Sequence, residues 1–373
     1  MIEGSVAAGL EPVAEAFAAN FAEHDEVGAA FAVARGHELL VDLWGGTAAS
    51  ATDRPWRRDT LSVIFSGTKG VLAVAILMLV ERGQIELDAP VTRYWPEFGK
   101  RDVLVRQVMS HTARLPGLDE PLSADDILDA GLVAERLERQ ALSDDPRAGF
   151  CYHGLTFGWL CGELIRRVDG RSVGRFVADE IARPLELELW IGLPAEHEAR
   201  VSALELAPGW PAWPAMRAEH MANDALLRSI WGNPPLLLDS DSMAWNRSDF
   251  HAAGIPGAGG IGTARAVARL YANLDRLLEP ATLATGRETL AEGRDEAHDG
   301  HARFGVGFEL QTEDRRLGPP DDAFGHRGVG GSNHGAWPRH GIGFSYVMNR
   351  LRDDVTPDPR AHALLAALHD ALR

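Results

Sequence analysis

The sequence predicts an α/β fold of the α+β kind, in which an antiparallel sheet flanked by helices carries a mostly helical insertion domain. Three observations predict it: two alternating segments near the N-terminus, several strand-like segments between residues 305 and 349, and a long apolar helix-forming run that stands between these groups.

The elements follow in order. Leu10–His24 reads as an amphipathic helix. Gly28–Ala34 and Glu38–Gly45 alternate and are separated by Arg35-Gly36-His37, which predicts a β-hairpin. From Val71 the chain reads Val-Leu-Ala-Val-Ala-Ile-Leu-Met-Leu-Val-Glu-Arg-Gly83. A helix from near Ser66 to near Arg82 is expected there, buried on most sides because almost nothing polar interrupts it after Lys69. Gly83 suits the left-handed position that ends a helix, and the apolar run is too short to span a membrane.

Residues 190–250 hold five of the ten tryptophans, Trp190, Trp210, Trp213, Trp231 and Trp245, together with Pro208, Pro211, Pro214, Pro234 and Pro235. Proline at that density suppresses regular structure, so a long loop or lid is expected. Its aromatics either line an acyl or alcohol pocket or staple the loop to the helical body. Further strands are expected at Gly305–Gln311, His334–Trp337 and Ile342–Asn349, and a closing helix from about Pro359 to Leu372. Residues 1–74 and 251–373 then form a sheet domain and residues 75–250 a mostly helical domain with the Trp/Pro-rich region. The functional site is expected at their junction.

Composition narrows the partners. With 373 residues, 45% hydrophobic and 24% charged, the chain can bury a substantial core. Its net charge of −17 argues against nucleic acid and against an anionic membrane surface. The two cysteines, Cys151 and Cys161, lie where a turn runs into a helix, which fits a reducing compartment without a disulfide. The segment Met1–Leu10 lacks the positive and long apolar stretches of a secretion signal, so a cytoplasmic location is expected. Histidine pairs such as His298/His301 and His334/His340 have no carboxylate or cysteine set at ligand spacing, and no metal is expected. Gly254–Gly262 lacks the lysine of a phosphate loop and the acidic residue of a dinucleotide site, so no cofactor is expected either. Nothing in the sequence indicates an oligomer.

The chemistry enters with the lysines. Only two of the 37 basic residues are lysines, Lys69 and Lys100, and Lys69 falls three residues after Ser66. Arginine is never deprotonated in a protein, whereas a lysine in an apolar pocket can lose its proton and act as a base. Positions three apart share a helix face, so the Ser66 hydroxyl and the Lys69 amine come within reach of each other at the mouth of the apolar helix. The partial positive charge of that helix end favours both a serine alkoxide and a neutral lysine. As structural elements alone, Ser66 would cap the helix and Lys69 would be a first-turn cation, which leaves the choice of lysine over arginine without a reason.

Ser66-x-x-Lys69 resembles the nucleophile motif of the serine β-lactamase and penicillin-binding-protein superfamily. The text around it is most similar to the class C branch and its esterase relatives, the family VIII carboxylesterases. Four further stretches fall in the family's order. Leu104–Leu118 is similar to the segment that reads roughly LLxHTSGLPG, and Tyr152-His153-Gly154 stands where the family has Tyr-x-Asn or Tyr-Ser. Pro256–Ala264 resembles the segment that enters a late helix, and Phe324–Ser332 resembles the third catalytic element, Lys-Thr-Gly or His-Thr-Gly in most members. The likeness spans about residues 25–350.

The resemblance implies a β-lactamase/transpeptidase-like fold and a serine hydrolase in which an ester acylates Ser66. Lys69 or Tyr152 takes the Ser66 proton; Tyr152, one of only four tyrosines, returns a proton to the leaving alcohol. The backbone N–H groups of Ser66 and Val329 would receive the oxyanion, each worth about 3 kcal/mol of barrier. Gly328, Gly330 and Gly331 would let backbone approach the substrate closely, with an ordinary turn or bulge the other reading of Gly330 and Gly331. His326 would hydrogen-bond substrate or tune Tyr152, while His111 reads as a helix-end or turn residue. Two departures bear on the substrate: Gly154 replaces an asparagine common in β-lactamases, and His326-Arg327 replaces Lys-Thr. The family uses those positions to hold the carboxylate and side-chain amide of a β-lactam, whereas an ester needs neither. The expected partner is thus a small-molecule ester. The same acyl-enzyme would also serve an acyltransferase, an amidase or a weak β-lactamase, and a non-catalytic binding protein on this scaffold is the remaining alternative.

Overall fold

The computed structural model describes residues 1–210, 217–237, 243–352 and 357–373. Trp213, Pro211 and Pro214 of the predicted loop lie outside them. The described residues form a mixed α/β protein around a ten-stranded antiparallel sheet. Its main path runs Ile2–Val6, Glu38–Ala49, Gly28–Arg35, Ile342–Met348, Asn333–Trp337, Phe324–Arg327, Glu309–Leu310, Gly300–Phe304, Ala291–Asp295, with Arg54–Pro55 added beside Glu38–Ala49.

The expected hairpin forms, Gly28–Arg35 against Glu38–Ala49. The N- and C-terminal halves of the chain join where Gly28–Arg35 pairs with Ile342–Met348, in register from Ala34 opposite Gly343 to Ala29 opposite Met348. Along Ile342–Met348 the strand alternation sorts the flanking helices. Gly343 abuts the backbone of Ala264–Ala272, with no room for a side chain. Tyr346, on the other face, lies beside Arg360 of the closing helix Pro359–Ala371, which packs with Glu11–Glu23. On the Gly343 face, Ser345 hydrogen-bonds His334, and His334 meets Gly67 at the start of the apolar helix Gly67–Glu81.

That helix is buried from Gly67 through Leu79 and ends, as its sequence requires, at a left-handed Gly83. It packs against Thr156–Asp169 and against strand Phe324–Arg327. A small sheet of Ser62–Val63, Gly260–Gly262 and Leu189–Ile191 delivers the chain into it. Between the apolar helix and Gly260 the described elements are mostly helices and short helical turns.

Two expectations change. Only Glu309–Leu310 of the Gly305–Gln311 segment is strand, because Gly307 turns left-handed and presses against Met109 and Ala73, where no side chain fits. The Trp/Pro-rich region is not one long loop: Leu189–Ile191, Glu205–Leu206, Ala218–Asn223, Ala225–Trp231 and Ser248–Ala253 are regular. Asp224 caps one of its helices by accepting the Leu227 N–H, and burial of Met221, Leu227, Ile230 and Trp245 supplies what proline removes. No helix among the described residues is long and apolar enough to cross a membrane.

Candidate active site

The chain turns sharply before the apolar helix. Phe65, a bulky residue, takes a left-handed φ of 44°, and its carbonyl accepts from the Thr68 hydroxyl at 2.6 Å. The strained corner places Ser66 at the helix mouth, with no hydrogen bond from its side chain to cap the helix. Gly67 and Gly70 let this first turn lie directly on His334 and Tyr271, whose atoms stand 2.4 Å and 2.1 Å from where a Cβ would be.

Lys69 is fully buried. Its Nζ lies 3.0 Å from Ser66 Oγ, 2.7 Å from the Gly154 carbonyl and 2.9 Å from the Gly257 carbonyl. A protonated amine would donate to all three. Unprotonated, it keeps two N–H groups for the carbonyls and offers its lone pair to the serine hydroxyl, the geometry of a base. Burial lowers its pKa to about 7, against a small opposing pull from the Cys161 thiol.

The carbonyls are brought in by close backbone packing. Gly158 of the Thr156–Asp169 helix lies against Gly257, so close that a Cβ on Gly158 would stand 2.0 Å from the Gly257 nitrogen. Sequence reasoning missed both carbonyl acceptors, since a backbone contact between residues 99 positions apart leaves no side-chain signature; the small residues at 158 and 257 are its only trace.

Tyr152 is half-buried, and Lys69 Nζ stands 5.0 Å from its ring centroid. The Tyr152 backbone N–H donates to Asp295 Oδ2 at 2.7 Å. Ser66 and Tyr152 line one cleft of about 1040 Å³, counting the space open at its mouth, together with His326, Gly328 and Val329. Ser66, Tyr152, His326, Gly328 and Val329, all expected from the sequence, thus line this cleft, whereas the buried Lys69, Gly330 and Gly331 do not. Among the described residues, neither the Ser66 nor the Val329 backbone N–H donates to a protein acceptor, which leaves both available to an oxyanion.

His326 donates its Nδ1–H to the Arg327 carbonyl at 2.7 Å, which fixes the tautomer and makes Nε2 an acceptor; that atom is buried without a protein partner among the described residues. Burial, with the Lys69 charge adding to it and Glu309 opposing, lowers its pKa to about 4, so it is neutral at pH 7. Arg327 is bound by Glu309, Nη2 to Oε1 at 2.9 Å. Glu309 stays ionised although burial opposes its charge, because Arg327, with smaller help from His326 and Arg316, outweighs that cost. His111 sits at a turn with φ of 62°, as a turn residue, and forms the buried rear wall between Tyr152 and Phe157.

Gly330 and Gly331 of the third element follow the second of their two expected readings, that of turn residues, with φ of 85° and 120°. A Cβ at Gly330 would strike Leu351, and one at Gly331 would strike Asp358 and Arg360, so their constraint faces the core behind the loop and not the substrate. Behind it, fully buried Arg360 donates to the Gly330 carbonyl at 2.9 Å and pairs with Asp358 and Glu26.

Cys151, Asp295 and His298 bring ligand-type atoms within 4.8 Å of one another. The residues do not suit a metal. His298 Nδ1–H donates to Asp295, its Nε2 accepts from Trp231, and burial pushes the Cys151 thiol far up, so it does not become a thiolate.

The model of the Beta-lactamase family matches residues 13–368. Esterase/beta-lactamase LipL of Mycobacterium tuberculosis is 33% identical over 362 residues, covering 91% of this chain and 81% of that protein. The crystal structure of a family VIII carboxylesterase aligns over 100% of both chains with a TM-score of 0.89 and 33% identity. A penicillin-binding protein homolog from Caulobacter crescentus gives 0.89 and 32%, again over 100% of both chains. A match that runs almost from end to end places this chain in the Beta-lactamase family.

Proposed function

We propose that this protein is a serine carboxylesterase that cleaves small-molecule esters through an acyl-Ser66 intermediate. The observation that carries the reading is the buried Lys69 amine, whose two carbonyl acceptors leave its lone pair for the Ser66 hydroxyl. Lys69 removes the Ser66 proton, and the alkoxide adds to the ester carbonyl. The Ser66 and Val329 N–H groups take the oxyanion charge, at about 3 kcal/mol each. The tetrahedral adduct then collapses; the C–O bond to the alcohol breaks and Tyr152 supplies the alcohol's proton. Water, losing a proton to the same pair, releases the acid and restores Ser66.

The relatives named esterases support the ester as substrate. The charge pattern supports it as well: Glu309 neutralises Arg327, and neutral His326 stands where a cation would hold a carboxylate. The site lies where we divide the chain, between a domain of residues 1–74 and 251–373 and one of residues 75–250. The test compares wild type with Ser66→Ala on p-nitrophenyl acetate and butyrate, nitrocefin and a D-amino-acid amide. Rapid ester turnover that vanishes in Ser66→Ala, with slow or absent nitrocefin cleavage, is expected. Ester hydrolysis surviving Ser66→Ala would overturn the reading.

A further inference from the structure

We infer that Trp231 is a specificity-determining wall of this site, held over Gly154 by His298 and Asp295, and that it selects the apolar portion of the ester. The inference rests on the esterase reading and concerns which esters the site takes.

Trp231 closes the helix Ala225–Trp231 and lines the same cleft as Ser66. Its six-membered ring fills the space a side chain at residue 154 would need: a Cβ there would meet ring carbons at 2.9 Å and 3.2 Å. The glycine and the indole therefore require each other. Where a polar side chain at 154 would have faced the cleft, the chain presents an aromatic surface, beside the very peptide whose carbonyl holds Lys69.

An indole on a mobile side chain would make a poor gauge. This one is fixed by a chain of hydrogen bonds. Trp231 Nε1–H donates to His298 Nε2 at 3.0 Å, and His298 Nδ1–H donates to Asp295 Oδ2 at 2.7 Å. The Asp295 carboxylate is held in turn by the Ala297 and His298 backbone N–H groups. Burial works against its charge, yet the His298 side chain and the Tyr152 and His298 backbone N–H donors keep its pKa below the usual carboxylate range. Asp295 and His298 side chains are only 5% and 6% exposed. The same Asp295 oxygen accepts the Tyr152 N–H, so the wall and the tyrosine share one anchor on the sheet, although Trp231 comes from the helical part of the chain.

Leu155, Phe65 and Trp245 extend the apolar surface, with Phe65 and Trp245 edge to face at 5.3 Å. A flat, immobile wall of this kind gains contact with each added methylene until the cleft is filled. His298 is a positioning residue in this account, since it acts through Trp231.

The experiment measures kcat/KM along a p-nitrophenyl ester series from acetate to hexanoate, and along a series of butyrate esters with lengthening alcohols. Wild type should gain about fourfold per methylene in one of the two series. Trp231→Phe, which keeps a ring but lacks the N–H, and His298→Leu should each reduce that gain below about twofold. The double variant should go no further, and His298→Gln, which can both accept and donate, should restore part of the slope. A variant that fails to fold loses activity at every chain length equally, and Trp231→Phe, the mildest change, then decides. Slopes unchanged from wild type in Trp231→Phe and His298→Leu would overturn the inference while leaving the esterase reading intact; loss of the esterase reading shows instead in Ser66→Ala.

Discussion

Replacing Gly158 by alanine probes how the lysine is held. Inside a helix this exchange ordinarily stabilises by about 1 kcal/mol. Here the new Cβ would stand 2.0 Å from the Gly257 nitrogen and 2.3 Å from its Cα, where ordinary contact begins at 3.4 Å. The two backbones must therefore part by about 1.4 Å, and both belong to close-packed segments with little room to yield. Moved that far, the Gly257 carbonyl, now 2.9 Å from Lys69 Nζ, leaves hydrogen-bonding range. Overpacking costs about 1–3 kcal/mol, which outweighs the helix gain. A shift of about 1 Å in a group that positions the base costs on the order of 100-fold in kcat. The reciprocal change is a built-in control. A Cβ on Gly257 would meet Gly158 and the Leu155 carbonyl at 3.1 Å, a matter of a few tenths of an ångström. Urea unfolding and p-nitrophenyl acetate turnover measure both variants. Gly158→Ala should lose stability and about two decades of kcat, and Gly257→Ala should lose little of either. A Gly158→Ala protein as stable and active as wild type, or a Gly257→Ala protein more damaged than it, would refute the reasoning.

Other outcomes follow from the buried charges. At acid pH Lys69 is charged in both the folded and unfolded chain, and the folded state bears the full cost of burying it. As pH rises through about 7 the folded amine loses its proton while the unfolded one holds it to 10.5, so stability climbs with pH over that window. Relative to Lys69→Met, wild type should gain about 4 kcal/mol of unfolding free energy between pH 7 and 10.5; parallel pH curves would contradict it. The lost contacts to Gly154 and Gly257 cancel from this slope, because they do not titrate. Arg360→Met leaves Glu26 and Asp358 buried without their cation and removes one of the two donors to the Gly330 carbonyl, leaving the Arg352 N–H. It should cost about 3–5 kcal/mol in urea unfolding and lower kcat more than it raises KM, since the loop that carries Val329 loses its side-chain anchor at the rear and keeps only the Arg352 N–H there.

What the sequence made legible was local or carried by recognisable text. The apolar helix, its Gly83 stop, the Gly28–Arg35 hairpin and the closing helix declare themselves through spacing and turn residues. Ser66 and Lys69 share a helix face, so their contact was readable three residues apart. The edge strands Ile2–Val6 and Ala291–Asp295 and the neighbouring Gly300–Phe304 were not, because they are exposed or only partly buried and carry glycine and charge where a buried strand would alternate. The Trp/Pro-rich text hid short helices whose stability comes from burial of Leu227 and Ile230 and from the Asp224 cap. Of its two weighed roles for the aromatics, Trp231 and Trp245 line the cleft, while Trp210 donates to the Leu237 carbonyl and serves the loop itself. The Asp295–His298 pair was missed for a different reason. Beside His301, His298 reads only as a metal ligand, whereas the Asp-x-x-His spacing in a hairpin turn is the signal that points to the pair.

The protonation of Lys69 is directly observable, because the chain has a single other lysine. Protein grown with isotopically labelled lysine gives two side-chain amine signals, and Lys100→Arg assigns them. Followed by NMR against pH, the Lys69 signal should titrate near pH 7 and shift when Ser66 is replaced by alanine. A Lys69 signal that stays protonated up to the ordinary lysine range near 10.5 would contradict the account, since no neutral amine would then be present to take the serine's proton.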